Sequence, residues 1–391
     1  MQKPLRILVV VDLAWDARLG AVRVFMGLSE SWRAAGHSVA RFCLDDAFPN
    51  PPRSRFIAAW RRLIFPRTAA AFIRGNSGRF DVIDSLLGTL PFARAELSFD
   101  GLLVARSVGF FRHYEEFEKF SRTRWPQRPR GKLAGRIFYR YLHTRASRAS
   151  QTSLLRCDLV NAPNEEEIRA AHVEVGAAKA AIVLPYGLTA TERCALREAA
   201  APPAERLRKK KIGFIGMWSA RKGAKDWATI IQRVRGSVPD AQFVFLGTLV
   251  EDRQVFDDIG RGTAEFVELV PEYAPDQLPA LLADVAVGAF PTYAEGFGLA
   301  LLEQLAAGVP TVAYGAPGPR AILGANAPDF LVPIGDVETL AAKLAEILRA
   351  DPAQYEQLVA RSVTIAARFQ WDEIADQTIN AYRQHLSSLR A

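Results

Sequence analysis

Short apolar runs alternate along the chain with longer stretches of helical periodicity. Leu5-Arg-Ile-Leu-Val-Val-Val-Asp12 opens as a buried strand, and residues 20–35 set Val22, Phe25, Met26, Leu28 and Trp32 on a helical face closed by Gly36. Val39-Ala-Arg-Phe-Cys43 is the next strand, so the chain begins as a βαβ unit. The turn after its first strand carries Asp12, Asp16, Arg18 and Gly20, and in an open α/β sheet such turns line the ligand crevice. Further strands are predicted at Phe80–Asp84, Leu102–Arg106, Cys157–Asn161 and Ala181–Leu184, with a helix over 164–172.

The pattern then restarts. Lys211-Ile-Gly-Phe-Ile215 reads as a strand, Gly216 to Gly223 as a turn, and about 224–235 as a helix. Strands follow at Phe243–Leu246, Ala264–Leu269, Asp284–Phe290 and Val309–Ala313, then helices at about 336–349, 353–367 and 372–388. Two doubly wound parallel sheets are expected, with a boundary in the Ala/Pro stretch 199–204 and the Arg208-Lys-Lys-Lys211 run. The domains are expected at 1–200 and 208–371, with a C-terminal helix at about 372–391 returning to the first.

One stretch stands out. Phe290-Pro-Thr-Tyr-Ala-Glu295-Gly296-Phe297-Gly298-Leu299 leaves a strand through a glycine-rich turn and enters an apolar helix that contains Glu303. Such a junction points backbone N–H groups and the positive end of a helix dipole at one place, which suits a phosphate. Glu295 and Glu303 stand eight residues apart. On a helix that is about 12 Å, near the span of a sugar diphosphate. The Arg221-Lys222 pair, in a turn bounded by Gly216 and Gly223, is also well placed for a diphosphate, Lys as a point charge and Arg as a fork.

At 391 residues the chain exceeds one ordinary domain. It has no apolar run long enough for a membrane span, and its N-terminal apolar segment is too short for a signal peptide. Cys43, Cys157 and Cys194 offer neither a disulfide framework nor a zinc spacing, so a cytoplasmic setting is expected. No Asp-x-Asp and no His/Cys/Asp cluster of ligand spacing occurs, so no divalent metal is expected.

Net charge is +8, and the excess is concentrated. Residues 53–79 carry Arg53, Arg55, Arg61, Arg62, Arg67, Arg74 and Arg79 with Phe56, Trp60 and Phe72 and no acid. Residues 106–150 hold 12 Lys/Arg against Glu115, Glu116 and Glu118, with Trp125, Phe138, Tyr139 and Tyr141. Basic residues with aromatics on a short helix fit a segment lying on an anionic membrane, at the inner face of the cell membrane for a cytoplasmic protein. They also fit an anionic acceptor or a plain basic surface. No nucleic-acid-binding motif accompanies them, so nucleic acid is not expected as a partner.

The string Pro291-Thr292, Glu295-Gly-Phe-Gly298, Glu303 and Ala307-Gly-Val-Pro310 resembles the E-x7-E motif of family 4 glycosyltransferases, retaining enzymes of the GT-B fold. The likeness covers 212–370 well and the first half loosely. It implies two Rossmann-like domains facing across a cleft. The implied reaction moves a hexose, with retention, from a nucleotide diphosphate sugar to a glycan or lipid-linked acceptor in bacterial-type polysaccharide or glycolipid assembly. Glu295 would contact the sugar hydroxyls and Glu303 the ribose, with the amides of Gly296, Phe297, Gly298 and Leu299 beside the diphosphate. Gly216, Arg221, Lys222 and Gly20 would also meet the phosphates, and the loop with Pro271 and Tyr273 would hold the base.

The chain also departs from the family. Leu19 replaces the first of two glycines, Met217 stands where an arginine is usual, and Tyr186 replaces the Asn of a Pro-Asn-Gly turn. After Leu102–Arg106 the histidine place beside the transferred sugar holds Val108; His113 either supplies that group or is an ordinary loop histidine. The alternatives are a non-catalytic nucleotide-sugar binder and another nucleotide-sugar enzyme on the same fold.

Overall fold

The computed structural model describes residues 3–126 and 133–390. Residues 127–132, part of the second basic stretch, lie outside them. The chain divides into two compact units, Met1–Tyr186 with Trp371–Ala391, and Gly187–Gln370.

The first unit holds strands β1 (Arg6–Val10), β2 (Ser38–Phe42), β3 (Val82–Leu86), β4 (Leu102–Arg106), β5 (Leu159–Ala162) and β6 (Ala181–Val183). Among the described residues they form a parallel sheet in the order β2-β1-β3-β4-β5-β6. Ile7 to Val10 and Leu102 to Ala105 are buried, as strands covered by helices on both faces must be. The second unit holds β7 (Lys211–Ile215), β8 (Gln242–Leu246), β9 (Val267–Val270), β10 (Val285–Phe290), β11 (Thr311–Tyr314) and β12 (Leu331–Val332). Its order is β12-β11-β10-β7-β8-β9, again parallel. The strand order reverses between β7 and β10. At such a switch point the loops from two adjacent strand ends diverge and leave a crevice.

The division falls after Tyr186, upstream of the compositional change at 199–211. The helices Ala190–Glu198 and Pro203–Lys209, absent from the sequence reading, belong to the second unit. There Arg206 donates to the Val285 and Ala307 carbonyls at 2.7 and 3.1 Å.

The Trp371–Arg390 helix belongs to the first unit and packs on the Gly20–Ala34 helix. Trp32 Nε1 donates to the Ala375 carbonyl at 3.3 Å and Ser31 Oγ to Asp372 at 2.9 Å. Gly27 lies against Trp371; a Cβ there would stand 2.4 Å from the indole nitrogen. Further along, Tyr382 donates to Asp84 at 2.6 Å and accepts from Arg106 Nη2 at 2.9 Å, while Arg106 and Asp84 form a fully buried ion pair at 2.6 Å. Burial pulls the Arg106 pKa down, but Asp84 and the neighbouring phenols reverse this and raise it above its ordinary value.

The basic segment 53–79 is not a short helix. Arg55–Arg74 is a twenty-residue helix capped by Ser54 Oγ, which accepts from the Ile57 amide at 3.2 Å. Phe65, Ala69, Ala70 and Ile73 enter the core, while Phe56 and Trp60 remain exposed. Two further helices, Phe111–Arg124 and Leu133–Arg156, carry the second basic stretch.

Candidate active site

The β7 and β10 loops meet at the switch point of the second unit. After β7 the chain passes Gly216, turns through the 3-10 segment Ala220–Lys222 and reverses at Gly223. Gly223 has φ +84°, and a Cβ there would fall 2.4 Å from the Pro291 carbonyl oxygen, so only glycine lets the two loops come this close. Tyr293 N–H donates to the Arg221 carbonyl at 2.8 Å, and Arg221 Nη1 returns a bond of the same length to the Ala294 carbonyl.

This bracing brings the expected charged residues together. Lys222 Nζ donates to the Glu295 carboxylate, and Arg221 Nη1 lies 4.0 Å from the same oxygen. Both paired side chains are nearly out of water, at 13% and 14% exposure for Lys222 and Glu295. Burial pulls the Lys222 pKa below its ordinary value against the attraction of Glu295. Burial also pushes Glu295 up, but Lys222 and Arg221 outweigh it and hold the carboxyl below its ordinary value. Glu295 therefore faces two cations, Lys222 and Arg221, in the turn that leads into the Leu299–Ala306 helix.

Gly298, at φ +104°, caps that helix in the left-handed region, which turns the chain directly from Glu295 into Leu299. Gly318 N–H donates to the Glu295 carbonyl at 2.9 Å and fixes the turn from the far side. Phe297 is buried with its ring 5.5 Å from Phe369, so its side chain belongs to the core and its main chain faces the turn. Glu303 is buried in the helix. Gly216 brings its backbone to the aliphatic stem of Lys222, 3.7 Å from where its Cβ would be. Pro271 accepts from Leu249 N–H at 3.1 Å, and Tyr273 lies over Gly247, so the loops after β8 and β9 are also joined.

Several supporting residues carried no local signal. Asp226 is buried and accepts from the Tyr293 and Tyr314 hydroxyls, both at 2.8 Å, so it anchors the loop just before Glu295. The hydroxyls of Thr248 and Thr292, past the ends of β8 and β10, are buried without a partner among the described residues. The aromatic-rich string could have pointed to Asp226, because a buried tyrosine needs an acceptor.

Two expected site residues lie in the first unit. Gly20 begins the Gly20–Ala34 helix with open space around it, which permits close backbone approach. Val108 lies in the loop after β4, where Ser107 Oγ and Phe110 N–H both donate to the buried carboxylate of Glu167. His113 is not in that loop but in the first turn of the Phe111–Arg124 helix. Its Nδ1 is 3.7 Å from Glu116, and its Nε2 is buried without a partner among the described residues. Burial lowers its pKa from the ordinary 6.5, so the ring is neutral at pH 7. Also among the described residues, no group of three or more His, Cys, Asp or Glu is placed to hold a metal ion, and no helix is long and apolar enough to cross a membrane.

Residues 209–350 match the family model described as "Glycosyl transferases group 1". An O-antigen chain mannosyltransferase B of Escherichia coli is 32% identical over 134 residues, 34% of each chain. A phosphatidyl-myo-inositol mannosyltransferase of Mycobacterium leprae is 28% identical over 175 residues, 44% of this chain and 46% of the relative. The first of these matches spans about one third of the relative's length. Among solved structures, sucrose-phosphate synthase of Thermosynechococcus elongatus superposes with a TM-score of 0.73 at 20% identity, covering 98% of this chain and 100% of that one. An Anabaena protein in complex with UDP and glucose superposes at 0.67 with 17% identity, over 96% and 99%. The likeness to these structures shows the GT-B fold, and the charged turn lies inside residues 209–350.

Proposed function

We propose that the protein is a retaining glycosyltransferase that moves a hexose from a nucleotide diphosphate sugar, held by the second unit, to a glycan or lipid-linked acceptor held by the first. The observation that carries this reading is the pairing of the Arg221-Lys222 turn with the Glu295-Gly-Phe-Gly298 turn at the β7/β10 switch point. Departure of the nucleotide places negative charge on the diphosphate. Arg221, Lys222 and the amides at the start of the Leu299–Ala306 helix supply fixed positive charge, and losing one such donor costs about 3 kcal/mol of barrier. Glu295, held ionised by Lys222, accepts from sugar hydroxyls, and Glu303 is assigned the ribose. Side-chain cations carry the role that a bound metal has in other transferases, so no divalent metal is assigned.

The family memberships of the relatives and the ligands of the Anabaena structure support a nucleotide sugar as donor. The test is a thermal-shift screen of nucleotide sugars, because a ligand that binds only the folded state raises the melting temperature. Incubation of the stabilising donor with candidate acceptors follows, with the product's anomeric configuration read by NMR. Stabilisation by none of them overturns the donor site. Stabilisation without transfer to any acceptor selects the second reading, a non-catalytic binder, which Val108 at the usual histidine place favours.

The basic surface is assigned to an anionic membrane. Phe56 and Trp60 on one helix and Ile137 and Tyr141 on another are exposed, and the Phe56 and Phe138 rings stack at 5.4 Å, which joins the two helices. Apolar side chains among arginines gain both burial and charge attraction at such an interface. Sedimentation with anionic but not neutral vesicles, lost in a Phe56→Ala/Trp60→Ala variant, is expected; equal behaviour with both vesicle types would leave a plain basic surface.

A further inference from the structure

The turn that carries Arg221 and Lys222 follows β7, which lies between β10 and β8 in the sheet. The middle of the turn is tied to the β10 side, through Tyr293 N–H on the Arg221 carbonyl and Arg221 Nη1 on the Ala294 carbonyl. Its two ends are tied to the β8 side by one carboxylate. Asp258 lies in the Asp252–Ile259 helix that follows β8; its Oδ2 accepts from Trp218 Nε1 at 2.9 Å and its Oδ1 from Lys225 Nζ at 2.6 Å. Trp218 comes before Arg221 in the chain and Lys225 after Lys222, so the two bonds bracket the cations.

The Trp218 end is the rigid one. Its indole is buried, stacked on Phe245 with ring centroids 5.4 Å apart, and its backbone N–H donates to the Thr248 carbonyl at 2.8 Å. A buried indole N–H needs an acceptor, and an ionised carboxylate is a strong one. One oxygen meets that need. The other reaches Lys225, an exposed residue whose ammonium water would serve as well, and so closes residues 218–225 on themselves. Inside that segment the Lys222 and Ala224 amides both donate to the Ser219 carbonyl, at 3.0 and 3.1 Å, which makes it a compact turn with fixed ends.

We propose that Asp258 is a positioning residue, which fixes the conformation of the 218–225 turn and through it the place of the Arg221 and Lys222 side chains. That these cations meet a diphosphate rests on the transferase reading above; the clamp on the turn does not. Two cations stabilise a diphosphate only as far as their positions are held, and a misplacement of about 1 Å is costly. Both side chains are long, so the backbone beneath them has to be held from outside the turn. Asp258 acts in this way from the neighbouring βα unit, with both oxygens engaged by the turn's two ends.

The experiment compares the full wild-type chain with Asp258→Leu, Asp258→Asn and Trp218→Phe by two measurements. The first is amide hydrogen exchange. Faster exchange over residues 218–225 in Asp258→Leu, with residues 242–246 of β8 unchanged, is expected; wild-type exchange in the turn overturns the clamp. The second is ligand-observed NMR titration with UDP, GDP and ADP, each against its own nucleoside. In Asp258→Leu the diphosphate that binds the wild type is expected to weaken about tenfold and its nucleoside by less than about twofold. Asp258→Asn, whose amide oxygen still accepts from Trp218, should recover part of the loss. A residue that only adds stability would lower the melting temperature and leave the ratio of the two affinities alone, so an unchanged ratio in Asp258→Leu overturns the positioning role. Should that variant not fold, Trp218→Phe, which keeps the ring and loses the N–H, is judged by the same two criteria. If the wild type prefers no diphosphate over its nucleoside, the donor reading fails, and the exchange measurement alone decides the clamp.

Discussion

Lys222 donates to the carboxylate of Glu295, seventy-three residues further along the chain, and both groups are largely buried. The pair holds the two turns of the candidate site in register. Lys222→Ala is predicted to lower turnover by at least about tenfold, through loss of a cation beside the leaving group. It should also lower stability by about 1–3 kcal/mol, because the buried Glu295 loses its nearest partner and keeps Arg221 at 4.0 Å. Replacing Glu295 by Gln in the same chain should restore part of the stability and none of the turnover. Unchanged kinetics and melting in the single variant would remove Lys222 from the site.

Glu303 is buried on the helix that begins at Gly298. Glu303→Ala is predicted to weaken nucleotide binding by about tenfold or more, the cost of losing a charged hydrogen bond. Calorimetric titration with the nucleotide alone checks this. Equal affinities would move the ribose contact elsewhere.

Activity is predicted to survive excess EDTA, since Arg221, Lys222 and helix-end amides are the assigned charge donors. Complete loss, restored by magnesium or manganese, would show that a cation holds the diphosphate.

Much of this architecture could be read from the chain. The buried strands were visible because parallel strands covered on both sides are continuous apolar runs, as in Ile7–Val10 and Val285–Phe290. The helices Phe111–Arg124 and Leu133–Arg156 were missed because arginines and glutamates interrupt their apolar spacing. Strand β12 is two residues long and too short to show a period. Arg221, Lys222 and Glu295 could each be picked out locally as candidates, but their ion pair could not, because it depends on β7 and β10 becoming neighbours. Asp226 was missed for the same reason: its tyrosine partners come from two distant segments.

His113 gives a pH signature. Burial lowers its pKa below the ordinary 6.5, Glu116 and Glu166 oppose this and Arg112 adds to it. The unfolded chain then binds the proton more tightly than the folded one, so stability is lost as pH falls below about 6.5. His37 shifts in the same direction, so the contribution of His113 is the difference between wild type and His113→Gln. Melting temperatures from pH 5 to 8 should fall less steeply on the acid side in the variant. His113→Ala is also predicted to cut transfer at least tenfold, about 1.4 kcal/mol, with nucleotide affinity little changed. A normal rate would show that the chemistry needs no imidazole from this helix.

Tyr382→Phe removes a hydroxyl that both donates to Asp84 and accepts from Arg106. A loss of about 1–3 kcal/mol is predicted, read from chemical denaturation, with no change in nucleotide affinity. A neutral result would mean that the buried ion pair satisfies itself.

The placement of that tyrosine affects how the protein is made. Asp84 and Arg106 are translated early, yet the group that completes their burial arrives almost three hundred positions later, at residue 382. During synthesis the second unit emerges with all its strands while the first still lacks the helix that packs on Gly27 and Trp32. The N-terminal half must therefore wait on the ribosome as an incomplete domain and finish folding after the C-terminal half. A premature stop after Gln370 would release a chain with a complete second unit and an unsealed first one, a substrate for chaperones and proteases.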